Sequence, residues 1–137
     1  MLTTKYRNIV FFIFSKYLIF SIVLAFLDNR FKSIVLDNSK TTADLMVNSF
    51  HYFIYVILAI IVYVAIFSLP YYFAFKINNK IIFILTISLI FFGESLFYVW
   101  FNSPGNLRNG EIDLLVGILT MLLFFFKPLK QKFVAHK

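Results

Sequence analysis

Cysteine is absent from this chain of 137 residues, and charged residues, proline, glycine and histidine are scarce. Without cysteine, disulfides, thiolate metal sites and cysteine nucleophiles are excluded. The two histidines, His51 and His136, lie far apart in the sequence, so we do not expect a histidine-based metal centre. Only 14% of the residues are charged, whereas an ordinary soluble domain has about 25%.

The sequence also lacks the common catalytic motifs. It contains no G-x-S-x-G, no H-E-x-x-H, no Walker loop and no Gly-rich dinucleotide turn. The net charge of +7 does not indicate nucleic-acid binding, because the basic residues flank apolar runs instead of forming a basic face. We therefore expect neither an enzyme nor a bound cofactor or metal.

Apolar residues are what the chain has in excess: 61% of it is hydrophobic and 21% is aromatic. These residues form continuous runs and do not alternate with polar ones. This pattern favours transmembrane helices of about 20 residues over barrel strands. The sequence predicts an all-α membrane protein, a single domain made of a bundle of four transmembrane helices. The predicted helices cover about residues 9–27, 50–75, 81–101 and 111–129.

One connection, residues 28–49, is much longer than the others. Within it, Thr41 followed by Asp44 predicts a helix start, so the second helix is expected to begin outside the membrane. Residues 30–36 fit either a short amphipathic turn along the membrane interface or an ordinary solvated loop, and we favour the loop. Pro70, near the end of the second helix, predicts a kink.

The fourth apolar stretch is the shortest. Its uncharged part, residues 114–126, rises only about 20 Å, so a full span requires residues 110–113 and Lys127 to reach the two interfaces. A re-entrant segment is the alternative.

The distribution of basic residues favours four full spans. With the N-terminus inside, eight basic residues fall on the inner side and four on the outer side, in the direction of the positive-inside rule. We therefore predict that both termini are cytoplasmic and that the long loop is outside. The inner residues are Lys5, Arg7, Lys76, Lys80, Lys127, Lys130, Lys132 and Lys137, and the outer ones are Arg30, Lys32, Lys40 and Arg108.

Lys16 and Glu94 are the only ionisable residues that this prediction places well inside a span. A charge at a helix centre costs roughly 2.5–3.5 kcal/mol on insertion scales, so each should face protein or water. Their predicted depths differ by about 8 Å, which two extended side chains can bridge. One interpretation is an ion pair that lines a proton or substrate path. The alternatives are that Lys16 extends to the headgroups, that the pair only joins two helices, or that Glu94 is protonated.

Small and polar residues on the helix faces predict close helix packing. The fourth helix carries such a face, made of Gly110, Asp113, Gly117 and Thr120, and the third helix carries another, around Gly93.

These features favour a non-catalytic protein that acts through helix contacts. It would be an accessory subunit of a membrane complex or an immunity-type inhibitor of a membrane partner. Its expected partners are membrane lipid and another integral membrane protein or further copies of itself. The alternative is a small homo-oligomeric transporter or channel that uses Lys16 and Glu94, and a lipid-modifying or lipid-carrying enzyme is a weaker third hypothesis. The richness in Phe, Ile, Asn and Lys favours the bacterial inner membrane, with the mitochondrial inner membrane as the alternative.

Overall fold

A computed structural model describes residues 4–134, and every regular element in that range is helical. The four long helices are α1 (Tyr6–Leu27), α2 (Thr42–Lys76), α3 (Lys80–Asn102) and α4 (Leu107–Val134). Each is long and apolar enough to cross a membrane, which requires about 20 residues. The all-α class with four such helices is confirmed and suggests a membrane protein. The orientation of the termini stays a prediction, and Lys137 and His136 lie outside the described residues.

The start of α2 lies where the sequence predicts it. The Thr41 hydroxyl accepts a hydrogen bond from the Asp44 backbone N–H (3.1 Å), and the Asp44 carboxylate accepts one from the Thr41 backbone N–H (3.0 Å). This reciprocal capping box satisfies two backbone donors that a helix start otherwise leaves free. The 35 residues of α2 extend about 50 Å, so the helix is longer than the hydrocarbon core of a bilayer.

The long connection contains a short π-helix, Lys32–Leu36. Asn29 precedes it with a φ of 50°, a left-handed conformation that Asn tolerates and that turns the chain back from α1. Val35 is fully buried, and this turn packs against α2. The solvated-loop interpretation of residues 30–36 is therefore wrong, because an apolar side chain holds the segment against the bundle.

The helices pack in a ring. Helix α1 lies against α2 and α4, and α3 lies against the same two helices, so α1 and α3 face each other across the diagonal. We call the end with the π-helix and the N-terminus of α4 the loop end, and the end with the N-terminus of α1 and the C-terminus of α4 the tail end. Aromatic side chains fill the core toward the tail end, among them Phe12, Phe75, Phe83 and Phe125.

Helix α4 is the irregular one. Helix α2 continues through Pro70 to Lys76, whereas α4 has non-helical backbone angles at Phe125 (φ −115°, ψ 20°), three residues before Pro128. Proline has no N–H to bond the carbonyl four residues earlier, which explains a break at this point. With 28 residues, α4 extends about 42 Å despite its short uncharged stretch.

Candidate functional site

The centre of the bundle contains an ion pair between the diagonal helices. Lys16 of α1 is fully buried, and its Nζ lies 2.7 Å from Oε2 of Glu94 on α3. Lys16 and Glu94 therefore meet. The alternative in which Lys16 extends to the headgroups is wrong, because its side chain is 0% exposed inside the bundle. The contact between the diagonal helices α1 and α3 is possible because the side chain of Lys16 is long enough to cross the core.

Glu94 accepts hydrogen bonds at both carboxylate oxygens. The Tyr17 hydroxyl on α1 donates to Oε1 (2.7 Å), and the Tyr71 hydroxyl on α2 donates to Oε2 (2.6 Å). Both tyrosines are buried. Both oxygens of the Glu94 carboxyl group are therefore hydrogen-bonded inside the bundle, as buried polar groups generally are. Lys16 Nζ also lies 4.7 Å from the centroid of the Tyr17 ring and 5.4 Å from that of Phe91, within the range of cation–π contacts.

A third buried charge comes from Asp113 on α4. The sequence predicts Asp113 at the outer interface, but the structure buries it inside the bundle: its side chain is 0% exposed, and its Oδ1 lies 3.0 Å from Lys16 Nζ. Helix α4 begins at Leu107, so Asp113 lies nearly two turns inside the helix. One signal pointed to this position, because Asp113 shares its helix face with Gly110 and Gly117. We call Lys16, Glu94 and Asp113 the charge cluster.

Two glycines make room for the charge cluster and for the contact between α3 and α4. A Cβ at Gly117 would lie 2.6 Å from Cε1 of Phe91 and 3.1 Å from Cε of Lys16, so glycine lets the lysine pass α4. A Cβ at Gly110 would lie 2.8 Å from the Ser95 hydroxyl, and that hydroxyl donates to the Gly110 carbonyl (2.9 Å). Both glycines therefore lie at close helix approaches, as the sequence predicts.

The other two predicted packing residues differ from this pair. Thr120 is buried, but its hydroxyl bonds the Val116 carbonyl of its own helix (2.5 Å). A Cβ at Gly93 would meet nothing within 4 Å. Gly93 therefore does not mediate packing between the helices described here, because it faces away from them.

A small cavity lies between the charge cluster and the loop end, and most of its lining surface is apolar. Its volume is about 50 Å³, which exceeds the roughly 10–15 Å³ that one water needs. Tyr17, which donates to Glu94, forms part of its wall. The other polar side chains of the wall are Ser21, Arg30, Tyr52, Tyr55, Tyr63, Tyr98 and Asn102.

Aromatic rings close the core on the tail side of the charge cluster. The ring of Phe12 lies 5.3 Å from that of Tyr71 and 5.4 Å from that of Phe125, and the rings of Phe75 and Phe125 lie 4.4 Å apart (centroid distances). We call Phe12, Phe75 and Phe125 the aromatic layer. The surroundings of the charge cluster are therefore asymmetric, with hydroxyl and amide groups toward the loop end and hydrocarbon toward the tail end.

A second polar group, which the sequence does not predict, lies at the loop end. Arg30 Nε donates to the Asp28 carboxylate (3.0 Å), and Asn109 Nδ2 donates to the same carboxylate (3.1 Å) and to the Ser103 hydroxyl (3.1 Å). The hydrogen bond from Arg30 holds the pKa of Asp28 below its usual range. We call Asp28, Arg30, Ser103 and Asn109 the loop-end cluster.

Comparisons with known proteins give no similarity to report: no family model, no curated protein and no solved structure matches this chain. Within residues 4–134, no group of three or more His, Asp or Glu side chains is placed to hold a metal ion. The function is therefore inferred from the contacts of this chain's own residues.

Proposed function

We propose that this protein is a small non-catalytic membrane protein that moves protons, or a solute coupled to protons, by way of the charge cluster. This is the transporter or channel hypothesis, now with Asp113 added to Lys16 and Glu94. The observation that carries it is the contact of three fully buried ionisable groups, with distances of 2.7 and 3.0 Å, beside a small cavity with several hydroxyl-bearing side chains in its wall.

The charge balance of the cluster supports this function. A buried pair that only fixes two helices needs one acid and one base, but this cluster has two carboxylates and one ammonium. With all three ionised it would carry one uncompensated negative charge, and such a charge costs several kcal/mol in a low-dielectric interior. Uptake of one proton removes that cost. Exchange of a proton is therefore a natural property of these three residues.

The hydrogen bonds supply a route from the cavity. A tyrosine hydroxyl both donates and accepts, so Tyr17 can take a proton from a water in the cavity while giving its own to Glu94 (2.7 Å). No side chain has to move for that transfer. Beyond the cluster, the aromatic layer blocks the tail side. Transport would then need a second conformation that opens this side, as in alternating access, and the break in α4 at Phe125 lies within that layer.

We further propose that the loop end faces outward and that both termini are cytoplasmic in a bacterial inner membrane. The support is the excess of basic residues at the tail end, seven against four at the loop end among the residues that the structure describes. In this orientation the cavity would open on the outer side, and the aromatic layer would separate the charge cluster from the cytoplasm.

A flux assay tests the proposed function. Purified protein is reconstituted in liposomes that contain a pH-sensitive dye, and proton entry is driven by a potassium diffusion potential. We expect flux with the natural chain and none above empty liposomes with Glu94→Gln or Asp113→Asn. Glu111→Gln is the matched control, since Glu111 is an exposed acid on α4 only two residues from Asp113. Flux that is absent from the natural chain, or that both cluster variants retain, would refute transport by this cluster.

A specific observation also favours the interaction hypothesis, in which the chain is an accessory subunit or an immunity-type inhibitor. Gly93 sits in the middle of α3, where glycine costs about 1 kcal/mol relative to alanine, yet a Cβ there would meet nothing in this chain. Leu96 and Trp100 are exposed nearby on the same groove. Small residues at an open helix face favour close approach of another transmembrane helix.

Purification in mild detergent from the native membrane tests this second function. The interaction hypothesis predicts that one membrane protein co-purifies with this chain at fixed stoichiometry. The Gly93→Leu variant should keep the fold but no longer co-purify with that partner. Leu123→Phe on α4 serves as the control, because Leu123 is 79% exposed and lies on a different helix. A protein that purifies alone, or a partner that survives Gly93→Leu, would argue against an interaction through this face.

A further inference from the structure

The two carboxylates of the charge cluster have unequal hydrogen-bond surroundings. Glu94 accepts from both tyrosine hydroxyls and lies 2.7 Å from Lys16 Nζ. Asp113 Oδ1 lies 3.0 Å from the same Nζ. Lys16 Nζ has hydrogen-bond geometry to neither carboxylate, so both contacts are ion pairs. Asp113 Oδ2 has no donor among the residues that the structure describes. Glu94 therefore has two hydroxyl donors beside the shared cation, whereas Asp113 has the cation alone.

The groups around Asp113 offer no further donor. From α1 and α3 the ionisable groups that face it are Lys16 and Glu94, and the hydroxyls of Tyr17 and Tyr71 are directed at Glu94. The two other hydroxyls on this side of the bundle are engaged elsewhere: those of Ser95 and Thr120 donate to the backbone carbonyls of Gly110 and Val116. A carboxylate with an unpaired buried oxygen is costly, because it loses its hydration without replacement.

We propose that Asp113 is the proton-binding residue of this protein: at neutral pH its carboxyl group holds a proton, while Glu94 is ionised and Lys16 is charged. The ligand of this site is a proton, which gives the cluster zero net charge. In a protonated Asp113, one carboxyl oxygen faces Lys16 and the other carries the proton as a hydroxyl group. This assignment deepens the proposed function and rests on it for its role in transport, although the protonation itself can be measured without transport.

Infrared spectroscopy with labelled amino acids tests the assignment. The chain contains four aspartates and two glutamates. Asp113 is the only fully buried aspartate, and Glu94 is the only fully buried glutamate. Exposed carboxyls ionise with a pKa of about 4 and are charged at neutral pH. The natural chain should therefore show a single protonated-carboxyl C=O band at pH 7. Aspartate labelled with ¹³C at the side-chain carboxyl should shift that band, and glutamate labelled in the same way should leave it in place.

Variants test the count of one proton. Asp113→Asn and Glu94→Gln should each abolish the band, because the remaining carboxyl group then ionises and pairs with Lys16. Glu111→Gln, the exposed control, should keep it. A band that shifts with labelled glutamate would place the proton on Glu94 and overturn the assignment, as would the absence of any band. If the band behaves as expected but liposomes show no proton flux, the proposed transport is refuted and the proton site on Asp113 is supported. If liposomes show flux but the band belongs to Glu94, the transport is supported and the assignment to Asp113 is refuted.

Discussion

The charge cluster and the loop-end cluster use the same chemistry in different surroundings. Each contains an acid–base contact. Asp28 and Arg30 of the loop-end cluster are only two residues apart in the sequence, whereas the members of the charge cluster come from three helices. In the loop-end cluster the side chains of Arg30 and Asp28 are 23% and 33% exposed, one acid faces one base, and Asn109 adds a neutral donor. In the charge cluster all side chains are 0% exposed, and two acids share one base.

This difference teaches how burial and charge count decide what an ion pair does. At the loop end water screens the charges, so the pair contributes little to stability, and its balanced charge has no need of a proton. In the centre the side chains are fully buried, so bulk solvent does not screen an imbalance. Removing one partner is therefore costly, and a change of protonation alters the whole cluster. Stability and proton binding are therefore expected to be coupled at the centre and nearly independent at the loop end.

Lys16→Met should give the largest effect. It leaves Glu94 and Asp113 buried without a cation, and breaking a buried ion pair in this way costs about 3–5 kcal/mol. The free energy of unfolding, measured by titration with SDS, should fall by that order at neutral pH and recover partly in acid. The double variant Lys16→Met with Glu94→Gln should be more stable than Lys16→Met alone. A double variant that is less stable than Lys16→Met alone would contradict an electrostatic cause of the destabilisation.

Gly117→Ala should give the next largest effect, because it changes the space around the cluster without changing its charge. The added Cβ would lie 2.6 Å from Phe91 and 3.1 Å from Lys16, and overpacking of this kind costs about 1–3 kcal/mol. The same SDS titration measures it. Gly93→Ala is the control: its Cβ meets nothing in this chain, and stability should stay equal or rise by up to about 1 kcal/mol. Equal losses in both variants would refute the packing difference.

Arg30→Met should have a smaller effect than Lys16→Met, although both remove the base of an ion pair. Partly exposed pairs contribute about 0–1 kcal/mol, and Asp28 keeps the hydrogen bond from Asn109. The comparison is made in the same SDS titration. A loss of stability as large as that of Lys16→Met would show that the loop-end ion pair contributes as much to stability as the buried one.

The smallest predicted effect is the loss, in acid, of the stability that Asp28 contributes to the loop-end cluster. Because the hydrogen bond from Arg30 lowers the pKa of Asp28, the stabilisation is present above the unfolded value of about 3.9 and is lost as pH falls through the lowered folded pKa. Asp28→Asn should remove this part of the acid sensitivity, seen as a smaller drop in Tm between neutral pH and that acid range. An unchanged drop would mean that Asp28 contributes nothing to the pH dependence.

Within the charge cluster, Lys16 and Glu94, which the sequence indicates as site residues, differ in a physical way from Asp113, which it does not. Lys16 and Glu94 stand out because each interrupts a long apolar run, where an unpaired charge is costly. Asp113 lies at the edge of the short fourth run, where hydropathy cannot separate a buried acid from an interfacial one. The two glycines that differ most, Gly93 and Gly117, each lie within an apolar run of their helix. Within such a run no hydrophobic stripe shows whether a glycine meets protein or lipid.

Composition and the length of the apolar runs were enough to predict four helices that can cross a membrane and the capped start of α2. These properties are local: a run of apolar residues favours lipid, and Thr41 with Asp44 caps a helix, whatever the rest of the chain does. Which charges meet is a property of the packed bundle. Lys16, Glu94 and Asp113 come from three helices, and their contact depends on helix rotation, on the glycine gap at Gly117 and on the ring in which the helices pack.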